Sequence, residues 1–551
     1  MKPQRLFYIL LISWVLVDLL QAIFTPVHSD EAYYALYGRF LDWGYYDHPP
    51  MVALLTAFSG ALFKGNLSIR FATVLLHGAT VWLIWKSLPD KELTTRDVWV
   101  FFAVAASLVM FSVYGFITTP DAPLLFFTAL FFYLYRLYLG KPTWPLAIAL
   151  GITFAAMLYS KYMAVLVAGF VLLSNVKLLK DKKVWIAVLI SFVLFTPHIL
   201  WQIRNGFPSL QYHLVDRSQG FRLLSVLEYP LNQLLVFNPL CLCLALYFCW
   251  KKRSTTNLYE RSLVFTIAGF VVFFWIMALK GHAEPHWTVA ASVPMIPLLW
   301  QEMREARWEK WMKYGVAPIA CLVVLLSGFV PKVLSQSSSN APDKHQLVKM
   351  IHQRSGHTPV VFIGSFQEAS LYRFYTEDNA VTLSSFYTRR TQFDIWQFDT
   401  LLQGKSVFVI DDAYKRKLKP GFSTVQEGDN RFYYREIDSF QGANRITVSV
   451  DQYRVSEDSL LLNLTLYNPY SQDFRFNHPE CPIRLFVGYM SDGHHPTLYC
   501  PTPPDLVIPA YDSVKLTTFT TTVPDAPFVI CVDNGINRSV NSKPIKIQHH
   551  D

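Results

Sequence analysis

Leu6-Phe-Tyr-Ile-Leu-Leu-Ile-Ser-Trp-Val-Leu-Val-Asp-Leu-Leu-Gln-Ala-Ile-Phe-Thr25 is followed almost at once by His28-Ser-Asp-Glu-Ala-Tyr-Tyr34. The first stretch has the length and apolarity of a membrane-spanning helix, which needs roughly 20 residues. The second sets two acids, Asp30 and Glu31, where that helix surfaces. Ionisable groups at membrane depth cost roughly 2.5–3.5 kcal/mol each on insertion scales, so acids at this edge point to a use. Lys2 and Arg5 ahead of the run mimic a secretory signal. The run is long and lacks a small-residue cleavage pattern, so it reads as an uncleaved first span.

The pattern repeats over the first 330 residues. Of 551 residues, 52% are hydrophobic and only 16% charged, too apolar for an ordinary soluble chain. Further candidate spans fall at 68–88, 98–117, 122–139, 144–159, 163–179, 184–201, 226–250, 263–279, 288–300 and 314–330, about eleven in all. Residues 51–63 are apolar but too short to cross, which suits a re-entrant or interfacial helix. Basic residues cluster in alternate loops: Lys2/Arg5, Lys86/Lys91/Arg96, Arg136/Lys141, Lys177/Lys180/Lys182/Lys183, Lys251/Lys252/Arg253/Arg261 and Arg304/Arg307/Lys310/Lys313. The positive-inside rule puts these loops in the cytoplasm, and with them the N-terminus. The loops bearing Asp30, Glu31, Asp121, Lys161, Arg204 and Glu284 then lie outside, as does the C-terminal part. In a Gram-negative bacterium that means an inner-membrane protein with a periplasmic tail. The formal charge of +9 is therefore topological, and nucleic-acid binding is not expected.

Residues 1–334 form the expected membrane domain, and the polar stretch 335–343 is a linker. Residues 344–440 read as a small α/β unit, with helices near 346–351 and 366–375 and strands at 360–363 and 406–410. No Gly-rich phosphate loop accompanies them. From 441 to 551 alternating β-branched and aromatic runs at 445–450, 459–466, 483–487, 514–519 and 528–531 read as a β-sandwich. Cys241, Cys243, Cys249 and Cys321 fall in apolar spans; Cys481, Cys500 and Cys531 leave room for one disulfide in an oxidising space.

Tyr33, Leu36, Tyr37, Phe40 and Leu41 recur at helical spacing, which predicts a helix lying on the membrane surface with Ser29 as its N-cap. Asp30 then sits in the first turn, where the helix dipole favours a carboxylate able to accept a proton. The bland alternative is that Asp30 and Glu31 only decorate a helix start. Thr118-Thr-Pro-Asp121, Ser160-Lys-Tyr162, Trp201-Gln-Ile-Arg-Asn205 and His282-Ala-Glu-Pro-His-Trp287 occupy other loops of the same side. Arg217 and Arg222 suit lipid headgroups better than catalysis. His282-x-Glu284-x-His286 has metal-ligand residue types, but Pro285 breaks the helix a His-Glu-x-x-His site needs, so a divalent metal is possible and not favoured.

Taken in order, Asp30-Glu-Ala-Tyr-Tyr34, Trp43-Gly-Tyr-Tyr-Asp-His-Pro-Pro50, Thr119-Pro-Asp-Ala-Pro-Leu124, Leu158-Tyr-Ser-Lys-Tyr162, Trp201 to Gly206 and Glu284-Pro-His-Trp287 resemble the bacterial branch of the protein O-mannosyltransferase and lipid A aminoarabinose transferase group. These are GT-C-class glycosyltransferases that use polyprenyl-phosphate sugars. The resemblance implies a GT-C-like polytopic fold and transfer of a sugar from a polyprenyl-phosphate donor, with inversion, to an envelope glycan, lipid or protein. It makes Asp30, with Glu31 beside it, the site of the general base and Asp121 the second acid. Lys161 and Arg204, assisted by His48, would hold the donor phosphate; Glu284 and His286 would approach the sugar. A polytopic lipid or sugar flippase is the competing reading, and bound membrane lipids are expected in either case.

Overall fold

The computed structural model describes residues 1–89, 93–212, 222–281, 283–327, 344–411, 421–428, 430–456, 458–491 and 494–547. Lys91, Arg217, His282 and the linker 335–343 lie outside the described residues. The chain divides into two compact units, Met1–Ser337 and Ser338–Asp551.

The first unit is helical: α1 (Pro3–Phe24), α2 (Ser29–Arg39), α3 (Met51–Leu62), α4 (Leu67–Lys86), α5 (Thr95–Ser107), α6 (Val109–Val113), α7 (Asp121–Gly140), α8 (Trp144–Ser160), α9 (Ala164–Ser174) and α10 (Lys182–Arg204), with further helices to Leu326. Among the described residues α1, α4, α7, α10 and Leu258–Lys280 are long and apolar enough to cross a membrane. Helices Leu223–Phe237 and Pro239–Lys251 add a sixth only if taken together as one broken span. The expected eleven is not confirmed, and the remaining apolar stretches appear as shorter or interrupted helices. Large apolar side chains point outward from α10, with Phe192 61% and Val193 58% exposed. Such a surface suits lipid and not water.

Two expected spans are broken for identifiable reasons. Residues 226–250 are not one helix: the chain bends by 104° at Asn238-Pro239. Proline lacks the N–H a continuous helix needs and disfavours helical backbone before it. Asn238 has φ 61° and caps the second helix by accepting from the Cys241 N–H at 2.8 Å. The stretch 98–117 breaks at Leu108 into α5 and α6. There the Ser107 carbonyl accepts from Asn238 Nδ2 at 2.6 Å, so broken backbone is satisfied internally, as a membrane interior requires.

In the second unit, β1 (Val360–Ile363), β2 (Ala380–Leu383), β3 (Val407–Asp411), β4 (Ser423–Glu427) and β5 (Asn430–Ile437) form a sheet in the order β2-β1-β3-β5-β4. The first three strands are parallel and β5 and β4 antiparallel. Helices Lys344–Ser355 and Phe366–Thr376 accompany it. The β-rich part stacks a sheet of β12 (Ser513–Thr520), β7 (Ser459–Tyr467) and β6 (Thr447–Ser456) against one of β10 (Thr497–Cys500), β9 (Arg484–Tyr489), β13 (Phe528–Asp533) and β14 (Arg538–Val540), while β8 (Phe474–Arg475) and β11 (Val507–Ile508) form a separate two-stranded pair. Their shared core includes Leu460, Leu462, Leu464 and Leu466 from β7, Leu485 and Val487 from β9, and Ile530 and Val532 from β13. The period of two on β7 is the alternation that puts every second side chain inside. All seven cysteines are unpaired, so the disulfide allowed for Cys481, Cys500 and Cys531 does not form.

Candidate active site

Arg70, in the first turn of α4, is completely buried. Its Nη1 donates to the carbonyls of Ala22 (3.0 Å) and Thr25 (2.6 Å), and Nη2 to that of Pro26 (3.0 Å). The guanidinium thus satisfies carbonyls that the end of α1 leaves without helical partners. The same group holds Glu31, with Nε 2.8 Å from Oε1 and Nη2 2.5 Å from Oε2. Glu31 also accepts from the backbone N–H of His28 and of Thr118, each at 3.0 Å. Every strong acceptor position of Glu31 is occupied by structure, and it is only 1% exposed.

His28, not Ser29, is the N-cap of α2. Its Nδ1 accepts from the Asp30 N–H, and Glu31 answers by accepting from the His28 N–H in a reciprocal capping box. The aromatic face of α2 also departs from expectation. Tyr33, Leu36 and Tyr37 are buried, and Tyr37 stacks on Tyr45 with ring centroids 3.9 Å apart. The face packs into the protein against α3 instead of lying on a membrane surface, and Phe40 and Leu41, past the end of the helix, are exposed.

These contacts leave Asp30 in the first turn of α2 with its side chain 43% exposed, 3.7 Å from His28 Nδ1. Because that nitrogen accepts from a backbone N–H, it holds a lone pair and forms no ion pair with Asp30 in this state. Asp30 opens onto a cavity of about 180 Å³ that Glu31, His48, Asp121, Lys161 and His286 also line. Asp121 starts α7, and Lys161 Nζ lies 2.8 Å from both of its oxygens. Both residues are almost wholly buried. Tyr34 closes one side. Burial, and after it the charges of Asp30, Asp47 and Asp121, push its hydroxyl well above the ordinary phenol range, so it remains a donor.

The loop carrying His48 is fixed by the end of α10 and by the short helix after it, Pro208–Gln211. His198 Nδ1 bonds the Trp43 carbonyl at 2.7 Å, Trp201 Nε1 donates to Asp42 at 2.7 Å, and Ser209 Oγ donates to the carbonyls of Tyr45 and Tyr46. Gly44 has no side chain because a Cβ there would stand 2.5 Å from the Trp201 ring. Trp43 to Pro50 and Trp201 to Gly206 are thus two halves of one support, and His48 meets the Tyr34 hydroxyl at 3.4 Å.

Of the eight residues expected at the site, six line the cavity. Arg204 does not; it is exposed at the C-terminal end of α10. Glu284 precedes the 3-10 turn Pro285–Ala291 and does not line it either. Among the described residues no three His, Cys, Asp or Glu side chains converge as a metal site. Sequence reading missed Arg70, His28 and Tyr34. A lone arginine inside an otherwise apolar span was the available signal for the first.

Residues 47–201 match the family model for dolichyl-phosphate-mannose-protein mannosyltransferases. A lipid A galacturonosyltransferase, RgtD, from Rhizobium johnstonii is 26% identical over 343 residues, covering 59% of this chain and 70% of the relative. The crystal structure of ArnT from Cupriavidus metallidurans in the apo state superposes with a TM-score of 0.58 at 13% identity, over 78% of this chain and 97% of ArnT. The same protein bound to undecaprenyl phosphate gives 0.58 at 14% identity over the same shares. The structural likeness shows the fold. With the family and sequence matches it bears out the resemblance read from the motifs: the chain has a GT-C-like membrane fold and is a glycosyltransferase.

Proposed function

We propose that this enzyme moves a sugar from a polyprenyl-phosphate donor to the saccharide of a lipid A-type envelope glycolipid, with inversion at the anomeric carbon and Asp30 as general base. The observation that carries the reading is the cavity in which a solvent-reachable Asp30 accompanies a buried Lys161–Asp121 pair. Asp30 takes the proton of an acceptor hydroxyl as the oxygen bonds to the anomeric carbon. The bond from that carbon to the phosphate oxygen breaks, and its electron pair leaves with the polyprenyl phosphate.

Charge grows on the phosphate during departure, so donors fixed nearby stabilise the transition state more than the bound donor. Lys161 spends two of its three N–H groups on Asp121, which aims the ammonium and leaves one for a phosphate oxygen. His48 and His286 line the same cavity. Arg204 is assigned to the donor headgroup at the membrane surface and not to the reacting atoms. Glu31 serves as the anchor that sets Asp30. The undecaprenyl phosphate bound to ArnT supports a lipid-linked donor, and the likeness to a lipid A galacturonosyltransferase supports a glycolipid acceptor. The alternation of basic loops supports an extracytoplasmic site and tail in a bacterial inner membrane.

The test is reconstitution in proteoliposomes with labelled undecaprenyl-phosphate sugars and lipid A, followed by mass spectrometry of the lipid. Addition of one donor sugar to lipid A supports the proposal. Donor consumed with label appearing only on protein or polysaccharide would overturn the acceptor. Label moved across the bilayer with no new glycosidic bond would overturn the whole reading.

A further inference from the structure

We propose that the C-terminal unit carries a second binding site, for a neutral saccharide, in the cleft between the Gln403–Gly404 turn, the segment Ser439–Gln441 and the loop Tyr470–His478. The cleft has a volume of about 400 Å³, within the range of small-ligand sites. Its walls are loops, yet side-chain amides fix them. Gln403 exchanges two hydrogen bonds with the backbone of Gly442, each 3.1 Å. Gln441 does the same with the backbone of Arg475, each 2.9 Å. Asn468, fully buried, donates to the carbonyls of Gln472, Ile508 and Pro509 while accepting from the Tyr470 N–H. The Glu480 carboxylate takes the N–H groups of Asp438 and Ser439.

Irregular backbone held this thoroughly is pre-organised, which removes part of the ordering cost of binding. The polar residues lining the cleft alternate in character: the Ser439 hydroxyl, the Gln472 amide, the Asp473 carboxylate, the Arg475 guanidinium and the His478 ring. His478 Nδ1 accepts from the Cys481 N–H at 3.1 Å, and burial holds its pKa below the usual value. The ring is therefore neutral near pH 7 with its proton on Nε2, a further donor.

Ligand class follows from what the cleft lacks. Phe440 and Phe474 are each only 1% exposed, so an apolar guest gains little. Asp473 and Arg475 lie 3.9 Å apart and balance each other, which disfavours a phosphate or another strong anion. Closely spaced donors and acceptors with no net charge match vicinal hydroxyls.

The experiment is saturation-transfer NMR on the full-length protein in a sugar-free detergent, with glucose, galactose, mannose, N-acetylglucosamine and their trisaccharides as probes. At least one saccharide is expected to bind. Gln472→Ala and Arg475→Ala, both at exposed side chains, should each weaken it roughly three- to tenfold, the loss of one hydrogen bond, with the unfolding midpoint unchanged. Asp30→Asn should leave the signal intact, since it alters the other unit. The proposal is overturned if no probe binds the wild type, if both alanine variants bind as well as wild type, if inorganic phosphate displaces the sugar, or if Asp30→Asn abolishes the signal.

Discussion

Asp30→Asn separates chemistry from architecture at this site. The substitution is close to isosteric and leaves the backbone N–H of residue 30 on His28 Nδ1, so the capping box between His28 and Glu31 persists. Losing one negative charge in the first turn of α2 costs about 0.3–1 kcal/mol of dipole stabilisation. Losing the base removes a contribution of about 10²–10⁴ in rate, or roughly 3–5 kcal/mol of barrier. Glu31→Gln should behave in the opposite sense. It leaves the wholly buried Arg70 without its carboxylate, a change that costs about 3–5 kcal/mol of stability. The assay is single-turnover sugar transfer in proteoliposomes with saturating donor, paired with unfolding of the purified protein. Asp30→Asn is expected to fold normally and turn over about 10²–10⁴-fold more slowly, whereas Glu31→Gln unfolds earlier. Transfer by Asp30→Asn within threefold of wild type would remove Asp30 as the base. A stable, inactive Glu31→Gln would move that role to its neighbour.

Lys161→Gln strands a buried carboxylate and should cost about 3–5 kcal/mol of stability, while Asp121→Asn with Lys161→Gln should recover stability but not transfer; a recovered rate in the double variant would show the pair to be structural only. Gly38→Ala drives a Cβ into Thr56 Oγ1 and to 2.7 Å from the Ala57 nitrogen, so α2 and α3 must part at a cost of about 1–3 kcal/mol, read as a lower unfolding midpoint. Burial pushes the thiols of Cys481 up to about 11 and of Cys500 and Cys531 up to about 12, so a maleimide at pH 8 should reach none of these until denaturant is added and then label all three; labelling of only one would reveal a disulfide. Because burial lowers the pKa of His478, the unfolded chain takes up a proton that the folded one refuses. Stability should therefore fall as pH drops below about 6.5. The contribution of His478 is the difference from His478→Gln, and identical pH slopes for the two proteins would refute it.

Much of this arrangement is legible in the chain because membrane physics leaves few options. Apolar length fixed α1, α4, α7 and α10 to within a few residues, and acids where spans surface marked Asp30 and Asp121. Interruptions were harder to read. Averaged over 226–250, hydrophobicity hides the bend, although Phe-Asn-Pro at 237–239 carries both signals that make it, a capping asparagine and a proline. For the α2 face, amphipathic spacing says only that one side is apolar. It does not distinguish lipid from α3 as the cover, and the stacking of Tyr37 on Tyr45 decides for protein. Strand β2 is harder to read than the equally short β1, because Ala380-Val-Thr-Leu383 mixes alanine and a polar residue into four positions whereas Val360-Val-Phe-Ile363 is uniformly strand-favouring.

The division of labour between Asp30 and Glu31 was beyond sequence for a different reason. Adjacent acids on a helix point about 100° apart, so of two acids lining one cavity Asp30 can stay open to it while the Glu31 carboxylate is taken up by Arg70 and backbone N–H groups. Which does which depends on where Arg70, 39 positions away, delivers its guanidinium. Arg70 simultaneously closes α1, and Glu31 simultaneously receives the Thr118 N–H three residues before Asp121. The loops bearing the proposed base and its companion acid are therefore registered through one buried ion pair. The exposed acid is the one left able to exchange a proton, and a substitution at Arg70 should disturb both loops at once.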